Sequence, residues 1–344
     1  MTELNKIINA DVIDGLKSLE DNSIDCIITS PPYYQLRDYG FSEQWGLEKT
    51  YQEYLDKMIS FMAECKRVIK STGSIWINLG DTYGTISGNM KQGNVNENKI
   101  KYSGNIENYT KPENMEKCLM LIPHRFAIRC IDELGLILRN DIIWAKPNGM
   151  PESVTDRFSK KHEFFFFFVK SKRYYFNLDG VRSKHKQISI DRALRGVSDS
   201  NKWFTDNGKS MNQKLVQPRK NKTHTKNYGE VMIGGQVRDN HDIHDSFNPS
   251  GKNPGDVADF WDITTKGSSE KHYATFNSEL IDKPIVAGSP EGGIVLDPFA
   301  GTGTTLIRAL ELGRNIIGIE GKKEYSDLAT KRIGKELIKI KMAI

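Results

Sequence analysis

Two short stretches carry residue types whose spacing can do chemistry. The first is Asp25–Tyr34, DCIITSPPYY. An apolar run, Cys26–Ile28, ends in Thr29 and Ser30, then in two prolines and two tyrosines. Proline removes a backbone donor and fixes φ, so the chain cannot continue through Pro31 and Pro32 as strand or helix. The corner holds three groups still: the Ser30 hydroxyl, the Pro31 carbonyl and the Tyr33 ring. The second stretch is VLDPFAGTGTTLIRA, from Val295 to Ala309, which sets a glycine loop directly after a strand and before a helix. Gly301 and Gly303 let backbone approach a ligand closely at the carboxyl end of a sheet. Glu320 ends the next strand, where it can bind a ribose diol.

This is the geometry of a nucleoside-cofactor site. The dinucleotide fingerprint Gly-x-Gly-x-x-Gly is broken by Leu306, and the loop lacks the Gly-Lys-Ser/Thr of a phosphate loop, since Gly303 is followed by Thr304 and Thr305. Asp297 at the start of the loop repels pyrophosphate and suits an ammonium. S-adenosylmethionine carries an α-ammonium, a sulfonium and a ribose, and so fits this loop better.

The elements around these stretches alternate. KIINA (Lys6–Ala10) reads as a strand, and DVIDGLKSL as a helix capped by Asp11. SIDCIIT is a buried strand that ends at the proline corner. Tyr51, Tyr54, Leu55, Met58, Met62, Cys65 and Ile69 follow helical spacing, with Thr72-Gly73 as the stop and SIWINL (Ser74–Leu79) as the next strand. PHRFAIRCIDEL reads as a helix and LILRNDIIWA as a strand. His162–Phe176, HEFFFFFVKSKRYYF, predicts a β-hairpin whose Phe164–Phe168 run is buried on both faces. Near the end, GIVLD and NIIGIE are strands, TTLIRALEL is a helix stopped by Gly313, and a charged helix follows. Strands alternating with helices predict an α/β fold with a parallel sheet.

Two segments break the pattern. Thr85–Pro112 is polar and Asn-rich, a long loop. Residues 182–256 are polar and weakly periodic. From Arg182 to Lys226 there are twelve cations against three acids. Such a segment is either a solvated insertion or a surface that contacts phosphates.

The bulk composition narrows the class. The 344 residues carry a formal net charge of +5, a mild bias toward a polyanionic partner. No apolar run approaches the roughly 20 residues of a membrane span, and the first residues lack a signal-peptide layout. The four cysteines, Cys26, Cys65, Cys118 and Cys130, are scattered, which predicts neither a disulfide framework nor a metal site. A soluble, cytoplasmic protein is expected.

Taken together, TSPPYY (Thr29–Tyr34) and DPFAGTGTT (Asp297–Thr305) resemble the catalytic and cofactor motifs of bacterial and phage DNA amino-methyltransferases, which act on cytosine N4 or adenine N6. Here the catalytic motif comes first, a variable basic segment second and the cofactor loop last, which is similar to the β arrangement of that family. LGDTY (Leu79–Tyr83), WAKPNGMPESVTDR (Trp144–Arg157), the His162–Phe176 segment and HYATF (His272–Phe276) also resemble it. The resemblance implies a doubly wound, mostly parallel seven-stranded sheet with an antiparallel hairpin. It implies a catalytic domain of residues 1–181 and 257–344, with 182–256 inserted as a target-recognition region and 85–112 as a flexible loop.

By the same resemblance, Ser30, Pro31, Pro32 and Tyr33 form the base-amine site. Asp297, Phe299, Ala300, Gly301, Gly303, Thr304 and Glu320 hold S-adenosylmethionine. Asp11 is either a cofactor contact or only a helix N-cap. Arg192, Arg195, Lys202, Arg219, Lys220 and Lys222 are candidate DNA contacts. An exocyclic amine is a poor nucleophile because its lone pair is delocalised into the ring; acceptors that grip its protons free that lone pair. Ser30 and the Pro31 carbonyl suit this task, and Tyr33 can stack on an extruded base. Ser30, where many adenine enzymes carry Asp, points to N4-cytosine, with N6-adenine as the alternative.

The implied partner is double-stranded DNA, with no metal and no membrane. A companion restriction endonuclease and a homodimer both remain compatible. A 5-methylcytosine enzyme needs a cysteine after proline, and a zinc deaminase needs Pro-Cys-x-x-Cys; neither is present. RNA and protein-glutamine methyltransferases use related corners with Asn or Asp in place of Ser30. A DNA-binding regulator on a degenerate methylase fold is opposed by the intact loop and corner.

Overall fold

The computed structural model describes residues 4–36, 44–84, 115–149, 152–183, 231–233, 236–238, 259–265 and 278–343. The 85–112 loop and the HYATF stretch lie outside these residues, as do the six candidate DNA contacts. The chain divides into two compact units, Met1–Tyr175 with Asp259–Ile344, and Phe176–Ala258.

In the larger unit the chain begins with β1 (Lys6–Ile8), α1 (Val12–Lys17) and β2 (Ile24–Thr29). It continues through α2 (Tyr51–Val68), β3 (Ile69–Leu79), α3 (Ile122–Asp132), β4 (Ile137–Ala145) and β5 (His162–Val169). The smaller unit contributes β6 (Val231–Ile233) and β7 (Gln236–Arg238), an antiparallel pair. The chain then returns with β8 (Phe260–Asp262), α4 (Ser278–Gly288), β9 (Ile294–Asp297), α5 (Thr304–Glu311), β10 (Asn315–Ile319) and α6 (Lys323–Ala343).

Eight of these strands form one sheet in the order β1-β10-β9-β2-β3-β5-β4-β8. All neighbours are parallel except β5, which runs antiparallel to both β3 and β4. The short edge strand β8 beside β4 adds one strand to the seven implied by the resemblance. The antiparallel hairpin is made by β4 and β5, with Ala145 opposite His162 and Ile137 opposite Val169. Tyr174 and Tyr175 do not return along β5 as the sequence predicted; instead the Tyr175 N–H donates to Thr72 O (2.8 Å). Both edges of β5 are already paired inside the sheet, which leaves no place for a returning strand.

Alternation along the strands sorts two cores. Ile27, Ile75, Ile77, Phe166 and Phe168 face α1, α2 and α3. On the opposite face, Cys26 and Ser74 meet α4, where a Cβ on Gly288 would lie 2.5 Å from Ser74 Oγ and 2.6 Å from Trp76 Nε1. Trp76 stacks on its cross-strand partner Phe167 with centroids 4.1 Å apart. Phe165–Phe168 are all buried and serve both cores, whereas Phe164, expected to be buried with them, is only partly covered.

Helix α2 starts at a capping box in which Thr50 and Glu53 bond each other's backbone N–H. It ends at Val68 rather than at Thr72-Gly73. The N–H groups of Asn22 and Ser23 bond the Arg67 and Val68 carbonyls, and Ile69 turns extended to pair with Ile24. Thr72-Gly73 instead falls in an irregular stretch of β3, between Ile69 opposite Ile24 and Ser74 opposite Cys26. Gly313 does follow α5, at φ +76°. Of the cysteines, Cys26, Cys65 and Cys130 are buried and Cys118 is exposed. No helix among the described residues is long and apolar enough to cross a membrane.

Candidate active site

β1, β2, β3, β4, β9 and β10 all point their carboxyl ends at one edge of the sheet. Antiparallel β5 brings its amino end there too, because Leu79 pairs with Phe164 and Trp144 with Glu163. Both stretches singled out in the sequence lie along this edge, which is where open α/β sheets bind ligands.

The glycine loop occupies one half. Gly301 and Gly303 adopt φ +52° and +80°, values that favour glycine, and a Cβ on Gly301 would have nothing within 4 Å. The Ala300 N–H donates to Ile319 O (2.9 Å) and ties the loop to β10. Glu320 is gripped by backbone: Gly301 N–H donates to Oε2 and Lys322 N–H to Oε1, each at 2.8 Å. A carboxylate has about four lone-pair sites, so Glu320 retains acceptor capacity for a diol. Burial pushes its pKa up to about 7, against the lowering effect of those N–H groups.

Asp297 is only 2% exposed. Its Oδ1 accepts the Phe299 N–H (3.2 Å), and the Thr29 and Thr305 hydroxyls lie against the carboxylate. Burial still pushes its pKa up to about 6. Asp297 thus shapes the loop, and it reaches a ligand through its field more than through an exposed oxygen. Two desolvated carboxylates beside open space above a glycine turn fit a ligand that brings positive charge and hydroxyls. S-adenosylmethionine has that chemistry.

Phe299 stands at the seam, with its ring 5.6 Å from Trp45 and 5.3 Å from Phe61. Asp11 caps α1 by accepting the Ile13 N–H (2.8 Å), and its other oxygen accepts from Trp45 Nε1 (3.4 Å). The capping role is thus present, and the indole bond places Asp11 beside the same aromatic group. Thr304 opens α5 with Gly303 as its N-cap.

The proline corner forms the other half. Tyr54 Oη donates to Pro32 O (2.9 Å), and the Gln35 N–H donates to Gly46 O (2.6 Å). Gly46, at φ +93°, is so close that a Cβ there would sit 2.7 Å from Tyr33 O. Tyr33 lays its ring against Gly80 of the LGDTY stretch, where a Cβ would come within 2.7 Å of Cε2. Its hydroxyl lies 2.7 Å from Glu163 Oε2 and 2.8 Å from Asn78 Oδ1. Ser30 Oγ is 3.3 Å from Tyr33 Oη and 3.5 Å from Asn78 Oδ1. Asn78 Nδ2 donates to Phe164 O (3.0 Å), and Lys146 Nζ pairs with Glu163 Oε1.

The sequence reading missed Asn78, Lys146 and Glu163. A signal was present: Asn78 and Glu163 are polar residues at the sheet-edge ends of the apolar runs Ile75–Leu79 and Phe164–Val169, and Lys146 directly follows β4.

Residues 24–331 match the model of the N6/N4 DNA methylase family, and the chain belongs to that family. It is a DNA methyltransferase. It is 32% identical to the type II methyltransferase M.Cfr9I of Citrobacter freundii, over 95% of this chain and 87% of that one. With M.SmaI of Serratia marcescens it shares 30% identity over 95% and 90% of the two chains. Among solved structures it resembles the PvuII DNA methyltransferase (cytosine-N4-specific) with a TM-score of 0.57 at 18% identity, covering 98% of this chain and 92% of that one. TTHA0409 of Thermus thermophilus, complexed with S-adenosyl-L-methionine, aligns with a TM-score of 0.50 at 20% identity, over 96% and 95%. These likenesses carry the doubly wound α/β fold.

Proposed function

We propose that the protein is a type II modification enzyme that methylates the exocyclic N4 of a cytosine at a specific site in duplex DNA, with S-adenosylmethionine as donor. The observation that carries the base is Ser30. A neutral hydroxyl, held by Tyr33 and Asn78, stands where the amine is to be gripped. Bound at the glycine loop, S-adenosylmethionine supplies a sulfonium methyl to an attacking nitrogen.

The chain's own residues do the rest. Ser30 Oγ and the Pro31 carbonyl accept the amine's protons and let its lone pair localise. Because the prolines fix these acceptors in advance, they act by preorganised electrostatics. Tyr33 offers a ring for the base, which must leave the duplex stack to be reached. Gly301, Gly303, Thr304, Phe299 and Ala300 seat the donor, Glu320 takes its diol, and Asp11 and Asp297 add negative charge nearby. Residues 182–256 are assigned to target recognition, with Arg192, Arg195, Lys202, Arg219, Lys220 and Lys222 on phosphates.

The test is to incubate the protein with S-adenosylmethionine and unmodified genomic duplex, then identify the methylated nucleoside and its sequence context. N4-methylcytosine at a recurrent site is expected. N6-methyladenine would overturn the base assignment, and no transfer would overturn the activity.

A further inference from the structure

Serine is a weaker acceptor than a carboxylate, and the reading above asks Ser30 to grip an amine proton. We propose that Lys146, Glu163 and Tyr33 form a one-directional hydrogen-bond chain that turns the Ser30 proton inward and strengthens Ser30 Oγ as an acceptor. The inference rests on the amine-gripping role of Ser30 and deepens it.

Counting donors fixes the direction. Lys146 has only donors, and it gives one to Glu163 Oε1. The ion pair is largely removed from water, with side chains 19% and 15% exposed, so its field is weakly screened. The Glu163 carboxylate only accepts, so the proton on its 2.7 Å contact with Tyr33 Oη belongs to Tyr33. The Asn78 amide is oriented by its Nδ2–H bond to Phe164 O, and it therefore turns Oδ1, another pure acceptor, toward Tyr33 and Ser30.

Of the two described acceptors at the Tyr33 hydroxyl, the charged, nearer one takes its proton. What faces Ser30 is then the Tyr33 Oη lone pair at 3.3 Å and Asn78 Oδ1 at 3.5 Å. Nothing in this network donates to Ser30. Both acceptors that Ser30 meets among the described residues lie in the network, so its own proton points there, and its lone pairs face away from it, where the amine is to be gripped. Bonds in such a chain polarise one another, so Glu163, held in place by Lys146, acts on Ser30 through the tyrosine by accepting its proton. Gly80 secures the geometry, because any side chain there would displace the Tyr33 ring.

Lys146, Glu163 and the Tyr33 hydroxyl are thus positioning groups that act through Ser30, while the Tyr33 ring keeps its stacking role. Tyr33→Phe separates the two, since it retains the ring and deletes the relay. Single-turnover methylation at saturating donor and duplex should slow by about tenfold or more, with KM for both substrates within about twofold. Glu163→Gln, of the same shape, should slow the step in the same direction, and Lys146→Arg, which restores the cation, should recover most of the rate lost in Lys146→Met.

The decisive measurement is a double-mutant cycle. Added to Ser30→Ala, Tyr33→Phe should cost almost nothing more. A wild-type rate for Tyr33→Phe, or two losses that multiply, overturns the relay and leaves the Ser30 role standing. A wild-type rate for Ser30→Ala overturns the underlying reading itself.

Discussion

The two halves of the active edge solve the same placement problem with different materials. The half assigned above to the donor is made of backbone: positive-φ glycines, N–H groups on Glu320, and burial that pushes two carboxylates above their ordinary range. The half proposed to take the base is made of side chains, with Ser30, Tyr33, Asn78, Glu163 and Lys146 converging from four strand ends. Backbone suits a ligand that is the same in every turnover. Side chains allow finer control of which proton points where. If that division is right, changes in the base half should alter rate and spare donor affinity, while changes in the donor half should do the reverse.

The largest effect is expected from Ser30→Ala. Removing a preorganised polar group from an active site costs on the order of 10²–10³ in rate, so kcat should fall by about that much with donor and duplex binding retained. Rapid-quench assays with equilibrium binding measure both, and a loss of donor affinity instead would merge the two halves.

Gly303→Ala attacks the donor half. The new Cβ would sit 3.3 Å from Ala329 Cβ on a backbone at φ +80°, a strain of about 1–2 kcal/mol. Thermal melts should drop by a few degrees, roughly tenfold weaker donor binding should appear by calorimetry, and single-turnover rate at saturating donor should hold.

The pH dependence belongs to the same half. Glu320 and Asp297 rise to about 7 and about 6 from ordinary values of 4.5 and 3.8, chiefly through burial. Both therefore hold protons more tightly folded than unfolded, and their contribution to ligand-free stability falls as pH rises from about 4 through about 7. A cationic donor beside them relieves this loss, so the stabilisation it adds should grow over the upper part of that window. A melting increment that shrinks as pH rises would detach these carboxylates from the donor.

The smallest effect on chemistry should come from neutralising Arg219, Lys220 and Lys222 together. Duplex affinity should weaken, and the slope of log affinity on log salt should fall by up to about 3. An unchanged slope would assign that segment another role.

How much was legible follows the same division. The Asp297–Thr305 loop could be read from the chain because it is a contiguous motif between one strand and the next helix, and the place of Glu320 because it directly follows the strand after that helix. The proline corner was legible for the same reason. Its partners were not, since Asn78, Lys146 and Glu163 become neighbours only through the antiparallel insertion of β5 between β3 and β4. That insertion also explains the misplaced hairpin: the strand paired with the phenylalanine run precedes it in the chain. Helix α4 was not read from the sequence; Pro284 lies inside it, and Gly288 ends it against Ser74, Trp76 and Cys26.

The distribution of thiols has a practical corollary. Burial pushes the Cys26 thiol up to about 12 and raises those of Cys65 and Cys130 as well, so none offers a thiolate at neutral pH. Cys118 is the exposed one, next to Lys117, whose ammonium pairs with Asp156 in the β4–β5 connection (2.8 Å). A maleimide dye should therefore attach to a single residue of the native protein, close to the segment that leads into Glu163. The unmodified sequence thus already carries a reporter position, and mass spectrometry should count one adduct before denaturation and four after it.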